Sequence, residues 1–122
     1  MAAAHLISIV DDDPSMRTAI GGLVRAMGYD AHEFASAEEF LASEDLGSFA
    51  CTITDIQMPG MNGFELKRQL ITLDRSLPVI MITARTEPGL EQQAMASGAM
   101  CFLRKPITAE TLMSCLEKAL AN

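Results

Sequence analysis

Five apolar runs, each followed by a stretch with helical spacing, constrain this chain more than any other feature. They read "HLISIV" (5–10), "YDAHEF" (29–34), "ACTITD" (50–55), "LPVIMIT" (77–83) and "MCFLR" (100–104). In "DPSMRTAIGGLVRAMG", Met16, Ile20, Leu23, Val24 and Met27 recur at helical spacing, and Gly28 suits the C-terminal cap. "SAEEFLASED" opens with Ser36 and places Glu39 three residues on, a capping-box signature. "NGFELKRQLITLD" supplies the third helix, and "EPGLEQQAMASGA" a weakly apolar fourth that stops near Gly98. "TAETLMSCLEKALA" is an amphipathic fifth, with Leu112, Leu116 and Leu120 on one face. Strands alternating with helices of roughly 10–14 residues build right-handed βαβ units and a parallel sheet covered on both faces. "YDAHEF" alternates and reads as a less buried strand; "LPVIMIT", the most apolar run, is predicted at the sheet centre. No repeat, low-complexity tract or linker interrupts the pattern, so residues 1–122 are read as one α/β domain, a (βα)5 unit.

Charge and cysteine content exclude several functions. The formal net charge is −7 over 122 residues, whereas a nucleic-acid surface needs a basic stripe. A hydrophobic share of 49% with 20% charged residues is that of a globular chain. No run is long enough to span a bilayer, and "MAAAHLISIVDDD" meets charge too early for a secretory signal. Cys51, Cys101 and Cys115 form no C-x-x-C pair and sit in apolar runs, as buried free thiols of a reducing compartment do. The expected setting is the cytoplasm, with no membrane or direct nucleic-acid contact.

In an open parallel sheet, ligands bind beyond the carboxyl ends of the strands. At those ends stand Asp11 and Asp12 after the first strand, Asp55 after the third, Thr83 after the fourth and Lys105 after the fifth. The second strand ends in "EFAS" and offers little. Asp13, the third member of "DDDP", precedes Pro14 and suits a helix N-cap. Asp11 and Asp12 are then free for another task. Three carboxylates converging from two strands need a counter-charge, and Lys105 supplies only one. Hard oxygen ligands with no converging His or Cys select Mg²⁺ or Mn²⁺ over zinc. Asp55 then has the surroundings of a nucleophile that forms an acyl phosphate, with Lys105 and Thr83 as ligands for the transferred phosphoryl oxygens. No Walker A pattern is present, so the phosphoryl group is expected from a donor that docks.

"ISIVDDDP", "TDIQMPGMNGFEL", "MITAR" and "FLRKP", in this order and at these intervals, resemble a response-regulator receiver domain of the CheY-like family across essentially the whole chain. The resemblance implies a flavodoxin-like sheet of order 2-1-3-4-5. It implies Mg²⁺ bound by Asp11 and Asp12, with Asp12 the more direct ligand, by Asp55 and by the backbone carbonyl of Gln57. Asp55 would be the phosphoacceptor, Lys105 and Thr83 its partners, and the Lys105–Pro106 bond cis. Phe102 would be the rotameric switch partner of Thr83, although a strand phenylalanine is ordinarily core. The switch would alter the face formed by the fourth helix, fifth strand and fifth helix, to control a partner or an output domain, with transcription one such output. The donor would be a histidine kinase or phosphotransfer protein. The only chemistry would be self-phosphorylation and self-dephosphorylation, not turnover of a separate substrate.

Several positions depart from the family pattern. Cys101 stands where an acidic residue is frequent, Ile107 where an aromatic follows Lys-Pro, and Arg104 adds a cation beside Lys105. Gln57 and Arg85, two residues past Asp55 and Thr83, would tune the lifetime of the phosphate. "MITARTEPGLEQQAMASGAMCFLRKPI" is similar to the FixJ/NarL branch, whose members usually carry a C-terminal helix-turn-helix; none lies in these residues. Phosphorylation-dependent homodimerisation through the fourth and fifth helices is a further expectation. The alternative is an Mg²⁺-dependent phosphohydrolase of haloacid dehalogenase type, which also uses an aspartyl phosphate. That reading expects a second aspartate two positions after the nucleophile, where this chain has Gln57.

Overall fold

The computed structural model describes residues 5–73 and 76–121. Five strands, β1 (Leu6–Val10), β2 (Asp30–Phe34), β3 (Cys51–Asp55), β4 (Val79–Thr83) and β5 (Cys101–Arg104), alternate with five helices. These are α1 (Pro14–Ala26), α2 (Ala37–Leu41), α3 (Gly63–Thr72), α4 (Leu90–Ala96) and α5 (Ala109–Ala119). The strands are all parallel, in the order β2-β1-β3-β4-β5, as expected of a doubly wound sheet.

Alternate residues of each strand feed two separate cores, because successive side chains point to opposite faces. Ile7, Ile9, Ile53, Ile80 and Ile82 pack with Ile20 and Val24 of α1 and with Leu112 and Leu116 of α5. Val10, Val79 and Met81 pack instead with Phe40 of α2, Phe64, Leu66 and Leu70 of α3, and Leu90 and Ala94 of α4. Helices on both faces bury the interior strands at nearly every position, and every residue of β3 and β4 is buried, the polar Thr52, Thr54 and Asp55 included.

That also corrects the placement of "LPVIMIT". The centre is β3, flanked by β1 and β4, with two strands on either side. Burial on both faces is shared by all interior strands, so apolar content alone cannot rank them. The helix lengths need correction too. α2 has five residues and α4 has seven, because each buries only two side chains: Ala37 and Phe40, then Leu90 and Ala94. The hydrophobic face ends, and the helix with it.

Local signals hold at most helix starts. Asp13 caps α1 by accepting from the Ser15 N–H, with Pro14 the first helical residue. Ser36 accepts from the Glu39 N–H at α2, but the full reciprocal capping box belongs to Asn62 and Glu65 at α3. α3 ends at Thr72; Asp74, the end of the expected helical stretch, lies outside the described residues. All three cysteines are free, and Cys51 and Cys115 are buried. Cys101 is only half-buried, since β5 is an edge strand. Among the described residues no helix is long and apolar enough to cross a membrane.

Candidate functional site

The parallel register brings the acidic residues together. Val10 pairs with Thr54, so the next residues, Asp11 and Asp55, emerge side by side at the same end of the sheet. Asp11 is fully buried and held in place from several directions. Its N–H donates to the Phe34 carbonyl (3.1 Å), and its Oδ1 accepts from the Asp13 N–H (3.0 Å). Its own carbonyl accepts from Arg17 of α1 (2.7 Å). Asp12 is exposed, yet carboxylate oxygens of Asp11, Asp12 and Asp55 all lie within 4.8 Å of one another.

Asp55 is 7% exposed. Its Oδ1 accepts from the Gln57 N–H (3.2 Å), and its Oδ2 from Lys105 Nζ (3.2 Å). Lys105 also donates to Asp11 Oδ2 (3.0 Å), so one ammonium bridges two buried carboxylates. Three acids against this one cation leave two negative formal charges uncompensated. Burial pushes the Asp55 carboxyl above its ordinary 3.8, Asp11 adds to the rise, and Lys105 opposes it. Burial alone would lower the Lys105 ammonium, but its hydrogen bond to Asp11 and the charges of both aspartates hold it above 10.5. Hard carboxylate oxygens at this spacing, with surplus negative charge, fit a small divalent cation.

Backbone geometry keeps Asp55 where it is. The Gly63 N–H at the start of α3 donates to the Ile56 carbonyl (3.0 Å), and a Cβ on Gly63 would stand 2.8 Å from the Asp55 carbonyl oxygen. Only glycine allows α3 to begin this close to the end of β3. Gly60, at φ +75°, turns the intervening loop past Glu38, whose carboxylate accepts from the Met61 N–H (3.1 Å). Met58 of the same loop is buried in the core beneath it.

Thr83 ends β4 and Lys105 directly follows β5, and the two are joined by the Lys105 N–H donating to the Thr83 carbonyl (2.8 Å). Thr83 is fully buried, and its Oγ1 accepts from the Arg85 N–H (3.0 Å). The Lys105–Pro106 bond is cis. Phe102, half-buried, packs against the α2–α4 core beside Met81, its register partner. The Arg85 side chain points outward to Glu87 (2.9 Å). Every acid, hydroxyl and amine singled out at a strand end therefore lies on one rim of the sheet.

Residues 7–117 match the response regulator receiver domain. The chain belongs to that family. It is 35% identical over 119 residues to the C4-dicarboxylate transport transcriptional regulatory protein DctD of Rhizobium meliloti, covering 98% of this chain and 26% of DctD. It is 32% identical to the transcriptional regulatory protein FixJ of Bradyrhizobium diazoefficiens, covering 93% of this chain and 56% of FixJ. This receiver domain thus spans about half of FixJ and a quarter of DctD. Among solved structures, the chemotaxis protein CheY4 of Vibrio cholerae superposes with a TM-score of 0.86 at 32% identity, over 97% of this chain and all of that one. The phosphohydrolase alternative finds no support: the group two residues past Asp55 that faces it is the Gln57 N–H, not a second carboxyl.

Three supporting contacts were not foreseen from the order of residues. Arg17 on the Asp11 carbonyl and Glu38 on the Met61 N–H join segments with no shared local signature. Arg104, noted only as an extra cation, donates to the Arg85 carbonyl (2.7 Å). The Asn62/Glu65 capping box was detectable, since the N-x-x-E pattern precedes an apolar periodic stretch.

Proposed function

We propose that this receiver domain is a phosphorylation switch in which Asp55 accepts a phosphoryl group from a histidine kinase or phosphotransfer protein. The observation that carries the reading is Lys105 Nζ bridging Asp11 (3.0 Å) and Asp55 (3.2 Å), with Asp12 in the same cluster. A carboxylate oxygen of Asp55 attacks the phosphorus; the new P–O bond forms as the donor's P–N bond breaks, and the imidazole leaves neutral, keeping the proton already on its other ring nitrogen. Asp11, Asp12, Asp55 and the Gln57 carbonyl would hold Mg²⁺, or Mn²⁺ in its place. When bound, that cation supplies positive charge that offsets the repulsion between incoming phosphoryl oxygens and the acids. Lys105 pairs with one phosphoryl oxygen, and Thr83 turns its hydroxyl from the Arg85 N–H to another.

Movement of Thr83 lets Phe102 rotate inward and changes the α4–β5–α5 face. Gln57 and Arg85 set access of the hydrolytic water and hence the lifetime of the phosphate. Residues 1–122 act as one receiver unit in the cytoplasm, with no separate catalytic substrate and no contact to nucleic acid or membrane. FixJ and DctD are transcriptional regulatory proteins, which supports transcription as the output of the switch. Dimerisation through α4 and α5 on phosphorylation belongs to the same proposal, and unchanged sedimentation with beryllofluoride would count against it.

The test is intact mass after incubation with Mg²⁺ and acetyl phosphate. One phosphoryl group is expected on the wild type and none on Asp55→Asn. Rapid multiple turnover of a phosphoester, or uptake that survives Asp55→Asn, overturns the proposal.

A further inference from the structure

Thr83, Phe102 and Arg104 share one face of the sheet, because register pairs Met81 with Phe102 and Thr83 with Arg104. The Arg104 guanidinium makes two contacts at once. Its Nη1 donates to the Arg85 carbonyl (2.7 Å), and its Cζ lies 5.1 Å from the Phe102 ring centroid. The Arg85 peptide is therefore gripped at both ends: its N–H by Thr83 Oγ1 and its carbonyl by Arg104. The ring that covers the other side of the guanidinium is only half-buried.

From this juxtaposition we propose that Arg104 is a positioning residue, a latch that favours the unphosphorylated arrangement by tying the β4–α4 loop to the half-buried ring of Phe102. The inference rests on the reading of Thr83 and Phe102 as the switch pair. Inward rotation of Phe102 takes the ring from under the guanidinium. Release of the Arg85 N–H by Thr83 frees the same loop whose carbonyl Arg104 holds. Both contacts belong to one arrangement, so their energy biases the equilibrium between the two. A planar guanidinium can hydrogen-bond in its plane and stack on its face, which a lysine ammonium cannot do together.

The test uses Arg104→Lys and Arg104→Ala in the intact chain, titrated with beryllofluoride at saturating Mg²⁺ and followed by NMR. Arg104 is exposed, and thermal unfolding checks that both variants stay folded. Each variant is expected to bind beryllofluoride roughly two- to five-fold more tightly than wild type, the range of an exposed cation–π contact. Phe102 ring resonances of the free variants should move toward those of the beryllofluoride-bound wild type, a shift that simple loss of stability does not produce. Wild type that binds no beryllofluoride overturns the phosphoacceptor reading. Wild type that binds, with both variants at unchanged affinity and unshifted Phe102, overturns the latch alone. If only Arg104→Ala tightens, charge suffices and the two-contact latch is likewise overturned.

Discussion

The two halves of the functional rim are built differently. On the β1–β3 side, Asp11 follows β1 and Asp55 ends β3, strands whose residues are almost all buried, and each carboxylate has a backbone donor and Lys105. On the β4–β5 side, β5 is an edge strand with no fully buried residue, and α4 is seven residues long. The acids of the proposed phosphoacceptor site sit on the packed half. Of the two residues assigned to the switch, Phe102 sits on the edge strand, where few buried contacts oppose movement, while Thr83 is fully buried at the end of β4. On the proposed reading this separates a rigid acceptor from a pliable ring at Phe102, and local stability should differ accordingly.

The largest effect expected is at the bridge between the halves. Lys105→Met leaves Asp11 and Asp55 buried without their cation and should cost about 3–5 kcal/mol without Mg²⁺. Urea unfolding checks this, and added Mg²⁺ should recover part of the loss; equal stability of the two proteins would mean the bridge is not what holds the acids. A pair of truncations then tests the contrast itself. Ile53→Ala in β3 should cost about 2–5 kcal/mol, and Leu103→Ala in half-buried β5 less than half as much. Similar losses at the two sites would erase the distinction between rigid and pliable halves.

Gly63→Ala forces a Cβ against the Asp55 carbonyl and should cost about 1–3 kcal/mol. It should also weaken Mg²⁺ binding measured by calorimetry, because the strand end moves. The smallest effect has the opposite sign. Asp55→Asn removes a carboxylate whose folded pKa lies above 3.8, and should stabilise the metal-free protein by about 1 kcal/mol at neutral pH. A raised acid pKa means that the folded state holds the proton more tightly. Its penalty is complete above the folded pKa and absent below 3.8, so the gain should vanish in acid. Chemical denaturation at both pH values measures the difference.

Much of this was legible in the chain itself. Period-2 and period-3.6 patterns report burial along a segment, and the five βα units follow from them. Asp11, Asp12, Asp55, Thr83 and Lys105 could be gathered because strand ends in a parallel sheet lie at one rim. Less visible were the short α2 and α4, whose lengths depend on how much neighbouring surface there is to cover. The central place belongs to β3 rather than β4 because near-complete burial marks every interior strand alike.

Strand-helix alternation, the acidic cluster and the N-cap Asp13 were determined by the sequence, since each depends on residues near one another in the chain or on the common geometry of parallel sheets. Only the tertiary structure decided that Lys105 bridges Asp11 and Asp55, that Glu38 braces the loop after Asp55, and that Arg104 reaches the Arg85 carbonyl. Those contacts join side chains from separate elements. Their partners depend on strand register and on side-chain direction, and neither leaves a periodic trace in the order of residues.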